Sequence, residues 1–272
     1  MCPSASVVGE RLDTTDIKGG TVSATYGFLR FDVEDAVAYM TFDDPESANR
    51  YSRDQEWELF DALSQIRRRK DIHAVVVTGE GDHFGGGANR RDDTVNVAQY
   101  YERALRLFDE WSRLDTPVVV ALNGPGQLTL PLLSDIVIAE RHVRICDRHV
   151  LSDIATATGS FLWPMSTGLA KAKRYLLVGD TLSADEAQRI GLISEVVDTG
   201  SSKSRACEIA TTLARLEPTG VQMTKRALNE WVRASWGPIF KHAMGLEFVH
   251  FPDSYERNRR QADLDREHGV LA

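Results

Sequence analysis

Three apolar runs rich in β-branched residues constrain this chain most: "AVVVTG" at 74–79, "PVVVALNG" at 117–124 and "SDIVIAE" at 134–140. None of them alternates apolar with polar residues, so each reads as a strand covered on both faces. Between the first two lies "VAQYYERALRLFDEWSRL", whose apolar residues recur at helical spacing and stop before Asp115, Thr116 and Pro117. Buried strands joined through a helix pair in parallel, because a crossover is needed to bring the chain back to the same end of the sheet. The expected class is α/β.

The flanking segments extend that reading. Upstream, "GFLRFDVED" and "AVAYMTFDD" are two strands around an acidic turn at Val33–Asp35. "SRDQEWELFDALSQIRRRK" is a helix, with Ser52 and Gln55 as a capping box and Trp57, Phe60, Leu63 and Ile66 on one face. From 168 onward helical patterns dominate. "TGLAKAKRYLLVGD" is one, and "SADEAQRIGL" opens with a second capping box, Ser183 and Glu186. A short strand "ISEVVD" precedes helical stretches at 202–216, 218–236 and 238–249 and a polar one at 254–268. The expected organisation is a polar tail at 1–27, an α/β body at 28–200 and a helical C-terminal part at 201–272.

Composition narrows the partners. A chain of 272 residues with 42% hydrophobic and 26% charged residues can bury a sizeable core. A formal charge of -8 excludes nucleic acid as the main partner, since phosphate binding needs clustered Lys and Arg. The bursts "IRRRK" and "RNRR" sit in helical contexts and read as solvated faces. Cys2, Cys146 and Cys207 cannot build a disulfide framework and suit a reducing compartment. No apolar run approaches the roughly 20 residues of a membrane span, and the first residues carry no leader pattern. A cytoplasmic protein without a membrane partner is expected.

The stretch "HFGGGANRRDD", with Gly85–Gly87 at its centre, directly follows the first buried strand. A phosphate loop would continue with Lys-Ser or Lys-Thr, and none follows. A dinucleotide fingerprint fails because Phe84 stands where the third glycine belongs. What remains is a turn that needs positive φ, or a loop that turns backbone N–H groups toward a substrate. "HVRICDRH" at 142–149 matches no standard zinc spacing, so neither metal nor cofactor is expected. His149 and Asp153, four residues apart, would pair on a helical turn; otherwise His149 is a surface histidine and Asp153 a helix cap.

Taken in order, "VVTGEGDHFGGGAN", "DTPVVVALNGP", "SDIVIA" and "GLAKAKRYLLVGDTLSADEAQRIGLISEVV" resemble the crotonase (enoyl-CoA hydratase/isomerase) superfamily. The resemblance spans about 28–265 and is strongest at 168–197. It implies a crotonase-like spiral of ββα units with a helical C-terminal part for trimerisation or a lid, and a homotrimer or dimer of trimers. It also implies a small-molecule substrate whose enolate or oxyanion is stabilised by backbone N–H groups. By resemblance the first donor is Ala88, with Gly87 beside it in the substrate site. Asn89 stands where the family has Asp, and Arg90 and Arg91 either meet a CoA phosphate or are solvated.

The second donor belongs to "NGPGQLTLPLLSD", which is about three residues shorter than the family's loop and lacks its glycine triplet and acidic residue. Gly126 comes first among the candidates, with Gln127 and Leu128 as alternatives; Leu128 is also expected to line the substrate site. Pro131 has no N–H to offer. His149 stands at or beside the place of a family glutamate, so the usual hydratase pair is expected to be missing. The shortened loop, His149, Asp153 and Trp163-Pro164 are similar to a β-diketone hydrolase branch, in which His149 would be the base and Trp163 would meet substrate. Three functions follow from the resemblance: an acyl-CoA hydratase, isomerase or lyase with the CoA thioester as substrate; a hydrolase cleaving a C–C bond of a cyclic β-diketone; or a non-catalytic assembly protein.

Overall fold

A computed structural model describes residues 22–52, 55–87 and 97–250. Strands β1 (Val22–Thr25), β2 (Leu29–Glu34) and β3 (Val37–Phe42) form an antiparallel meander at one edge of a seven-stranded sheet. The β2–β3 turn is made by Asp35 and Ala36, both at positive φ (49° and 64°), the pairing that a two-residue hairpin requires. Helix α1 (Glu56–Arg68) then crosses to β4 (Ala74–Gly79), and α2 (Val97–Ser112) leads to β5 (Val118–Leu122). A short helix α3 (Thr129–Leu132) precedes β6 (Ile136–Glu140). From β3 onward the pairing is parallel, in the order β3-β4-β5-β6 and then β9 (Glu195–Val197).

The apolar runs have both faces covered, as a parallel sheet demands. On β4, Val75 and Val77 enter the main core with Leu59, Leu63 and Trp111. Ala74 and Val76 face the other way, into a smaller core with Val119, Ala121 and Ile138. That second face is closed by Ala206 and Ala210 of α7 (Ser202–Ala214), so this helix packs across the sheet itself. Between β6 and β9 the chain forms a two-residue strand β7 (Arg144–Ile145), helix α4 (Ala157–Thr167), helix α5 (Leu169–Val178), strand β8 (Leu182–Ser183) and helix α6 (Ala184–Arg189). The Ser183 hydroxyl caps α6 by accepting the Glu186 N–H at 3.1 Å. Ahead of α1, the Ser52 N–H donates to Gln55 Oε1 at 2.8 Å, but the helix begins only at Glu56, so Gln55 and not Ser52 is its N-cap residue, and it makes no side-chain cap bond.

Helix α8 (Pro218–Ser235) does not stop where the sequence suggests two separate stretches. It passes Gly237 and Pro238 in a π-helical turn, Trp236–Lys241, and continues helical to 250. Proline removes a donor from the ladder, and a π turn lets the helix absorb that loss without breaking. Phe240 is thereby buried against Phe161 of α4, with ring centroids 4.7 Å apart. By contrast Trp231 is 75% exposed.

One buried ion pair fastens α8 to the sheet. Lys225 Nζ donates to the Thr116 carbonyl at 2.9 Å and to Asp135 Oδ2 at 2.7 Å, and that same oxygen accepts the Val118 N–H at 2.7 Å. Burial holds the Lys225 pKa below its usual value, against the pull of Asp135. Lys225→Met would leave the carboxylate without its counter-charge, which typically costs about 3 kcal/mol or more. Chemical denaturation is expected to show a loss of that size. A double variant, Lys225→Met with Asp135→Asn, is expected to recover part of it.

Candidate active site

The loops at the carboxyl ends of β4 and β5 lie against each other, where ligands of open α/β sheets bind. Asn123 ties them: its Nδ2 donates to the carbonyls of Gly79 (3.0 Å) and Gly81 (2.7 Å). In the glycine run, Gly85 and Gly86 adopt φ of +76° and +72°. A Cβ on Gly85 would sit 2.2 Å from the Asn49 carbonyl oxygen, and one on Gly86 would sit 2.8 Å from the Phe42 ring. Asn49 is itself fully buried and left-handed (φ 56°). Its Nδ2 donates to the carbonyls of Glu80 (2.8 Å) and His83 (2.6 Å), and its carbonyl accepts the Gly86 N–H at 2.9 Å. The glycines are therefore needed for backbone conformation and for close approach to this asparagine. Ala88, Asn89, Arg90 and Arg91 lie outside the described residues.

The second loop is brought directly alongside. Gly85 and Gly126 form a parallel bridge, the Pro125 carbonyl accepts the N–H groups of Phe84 and Gly85, and the Gln127 N–H donates to the Gly85 carbonyl at 2.8 Å. A Cβ on Gly126 would come within 2.8 Å of Gly85 backbone atoms, so only glycine fits. The Gln127 N–H is thus committed, which removes it from the candidate donors. For the N–H groups of Gly126 and Leu128 the described residues supply no acceptor. Gly87 touches the same loop, its Cβ position lying 3.2 Å from Gln127 Cβ. Leu128 immediately precedes α3 as its N-cap residue and packs on the main core.

His149 is held by Asp147, two residues before it, and not by Asp153. Asp147 Oδ1 accepts His149 Nδ1–H at 2.6 Å and the His149 backbone N–H at 3.1 Å, while Oδ2 accepts the Thr156 hydroxyl at 2.7 Å. Burial alone would push the Asp147 carboxyl up. The hydrogen bond and charge of His149, with the Thr156 hydroxyl and the His149 N–H, outweigh it and hold the carboxyl below its ordinary 3.8. The carboxylate occupies the notch left by Gly159, where a Cβ would sit 2.3 Å from Oδ2. The expected pairing at four-residue spacing does not form, because 150–152 make a 3-10 turn that ends on Asp153 in the left-handed region (φ 52°). The Asp153 carboxylate is 61% exposed, with His250 Nε2 at 3.4 Å.

The first turn of α4 is the hub of this region. Thr156 caps it by accepting the Gly159 N–H at 3.2 Å while binding Asp147. The Ala157 N–H donates to Glu247 Oε2 at 2.9 Å, and the Tyr101 hydroxyl donates to Glu247 Oε1 at 2.8 Å. Glu247 is only 6% exposed and was not legible as a site residue. The one available signal was its place seven residues after Phe240 and three after Met244, on the buried face of the last helix. Thr158 meets Thr129 of the second loop at 3.0 Å. Trp163, expected to touch substrate, is 1% exposed in the main core, its ring 6.2 Å from that of Tyr175. His142 and Cys146 point elsewhere, to Thr199 and to the Gly179 carbonyl. Among the described residues no helix is long and apolar enough to cross a membrane.

Residues 32–254 match the family model described as enoyl-CoA hydratase/isomerase. The chain belongs to the enoyl-CoA hydratase/isomerase, or crotonase, family. A relative from Mycobacterium tuberculosis named "Probable enoyl-CoA hydratase" is 31% identical over 226 residues, covering 77% of this chain and 79% of its own. The 1,2-epoxyphenylacetyl-CoA isomerase of Escherichia coli is 30% identical over 217 residues, covering 74% and 82%. Among solved structures, an enoyl-CoA hydratase/isomerase from Pseudoalteromonas atlantica superposes with a TM-score of 0.73 at 27% identity, covering 84% of this chain and 91% of that one. A β-diketone hydrolase from the cyanobacterium Anabaena, bound to (S)-3-oxocyclohexyl acetic acid, shares the fold at a TM-score of 0.76 and 24% identity, covering 84% and 95%. The α/β crotonase architecture read from the sequence is the one these structures share.

Proposed function

We propose that this crotonase-family enzyme stabilises an enolate or oxyanion with backbone N–H groups and uses His149, held by Asp147, as its base to cleave a C–C bond of a cyclic β-diketone with water. The 2.6 Å contact between His149 Nδ1 and Asp147 carries the reading. A carboxylate on Nδ1 fixes the tautomer whose Nε2 keeps its lone pair, and it stabilises the imidazolium formed when that nitrogen takes a proton. Water loses its proton to Nε2 as its oxygen adds to one carbonyl carbon. The resulting alkoxide collapses, the C–C bond breaks, and its electron pair becomes the enolate of the second carbonyl. Backbone N–H groups of Ala88 and of Gly126 or Leu128 would face that oxygen, and donors fixed in advance stabilise developing charge without reorganisation. The proton on His149 then goes to the enolate carbon, giving an open-chain keto acid.

Acyl-CoA hydration or isomerisation is the second reading, favoured by the names carried by relatives 30–31% identical. The test offers two substrates separately. One is a cyclohexanedione carrying two methyl groups on the carbon between its carbonyls; the other is crotonyl-CoA. Acid release from the dione and no loss of the crotonyl-CoA conjugation band are the expected results. Hydration of crotonyl-CoA with an inert dione would support the second reading. Inertness toward both, in a folded protein, would point to an assembly role.

A further inference from the structure

A chain of side-chain hydrogen bonds runs from the second loop to α4, and its direction is fixed. Gln127 Oε1 accepts the backbone N–H groups of Thr129 (2.7 Å) and Leu130 (3.4 Å). The other half of that amide, Nε2, must then be the donor to Thr129 Oγ1 at 2.5 Å. Thr129 is 4% exposed, and the acceptor available to its own proton among the described residues is Thr158 Oγ1 at 3.0 Å. The reverse direction would strand the Thr129 proton in the interior, the costly arrangement for a buried polar group. Thr158 accepts, and its own hydroxyl proton has no acceptor among the described residues, although the side chain is half-buried.

We infer that the Thr158 hydroxyl is the terminal donor of this chain and binds an anionic or carbonyl oxygen of the substrate, as a specificity-determining side chain beside the backbone donors. Each hydrogen bond in a directed chain polarises the next, so a hydroxyl fed by an amide and a second hydroxyl donates more strongly than one alone. The placement suits this role. Thr158 lies two residues beyond Thr156, which binds Asp147, and its partner loop carries Gly126. The preferred ligand is an oxygen bearing negative charge, such as an enolate, over a neutral carbonyl of the same shape. The inference rests on the reading of this region as the active site.

Dimedone, a cyclic β-diketone that ionises to a stable enolate, is the probe. Titration calorimetry on the full chain is expected to show Thr158→Val binding the enolate about 10–100-fold more weakly than wild type, the range for one hydrogen bond to a charged group. Thr158→Ser is expected to stay within about threefold, since the hydroxyl is kept. Thr129→Val, which cuts the chain upstream, is expected to weaken binding about threefold or more, and it serves as the readout should Thr158→Val not fold. In a His149→Ala background, which is expected to leave the dimethyl-blocked dione essentially uncleaved, that neutral dione should lose much less affinity than dimedone on Thr158→Val, a difference that a merely structural role would not produce. Wild-type affinity for dimedone in both valine variants would overturn the inference and leave the site reading intact. A wild-type protein that binds neither dione would overturn the site reading, and the inference with it.

Discussion

Asp147→Asn is expected to lower turnover by roughly 10²–10⁴-fold, the range over which a positioned acid–base group acts. Asparagine can keep the contacts to Thr156 and to the His149 backbone, so the fold should survive. It cannot carry the charge that fixes the His149 tautomer and stabilises its protonated form. His149→Ala should cost at least as much, and the double variant little more than either alone, because the two residues act as a unit. Stability adds an independent check. The folded pKa of Asp147 lies below its unfolded value, so the ionised group stabilises the fold above the ordinary 3.8. That stabilisation fades as pH falls through the lower, folded value. Asp147→Asn should remove this acid-side component, flattening the fall of denaturation midpoint below about pH 4 relative to wild type.

Gly85→Ala is expected to be the most damaging alanine substitution among the described glycines at positive φ. A left-handed conformation costs an alanine about 1–2 kcal/mol, and a Cβ placed 2.2 Å from a buried carbonyl oxygen adds an overpacking cost of about 1–3 kcal/mol. Gly86→Ala has a similar φ of +72°, but its methyl would meet the Phe42 ring, which can move more easily than backbone. Gly200→Ala, at φ +82° with nothing within 4 Å, carries a backbone cost without a steric one. Urea denaturation should rank the losses Gly85, then Gly86, then Gly200. Equal losses at all three would show that steric closeness to Asn49 is unimportant.

The sheet was legible because its signal is local. The runs at 74–79, 117–124 and 134–140 each announce a strand covered on both faces, and the structure covers them with the main core on one side and α7 on the other. Helix α4 was not legible. Its buried residues Ala157, Gly159, Phe161, Leu162 and Trp163 spread around the helix, leaving no amphipathic stripe, and Pro164 lies inside it. The split read into the last helix came from Gly237 and Pro238, whose usual effect a π turn absorbs. At the site, His149 could be picked out but its partner could not. A four-residue spacing points to Asp153 only if the segment is α-helical, whereas Asp147 at two residues pairs through a turn that no periodicity encodes. Glu247 reaches Ala157 across 90 positions of sequence, a contact that only the assembled helices create.

In the proposed function a histidine held by Asp147 activates water for C–C cleavage. Its most direct test compares wild type and His149→Ala on the dimethyl-blocked cyclohexanedione, following release of the keto acid as a function of pH. Wild-type turnover is expected, with a fall of roughly 10²–10⁴-fold in the variant at every pH. Crotonyl-CoA hydration that proceeds at the wild-type rate in His149→Ala, with no acid released from the dione by either protein, would contradict it.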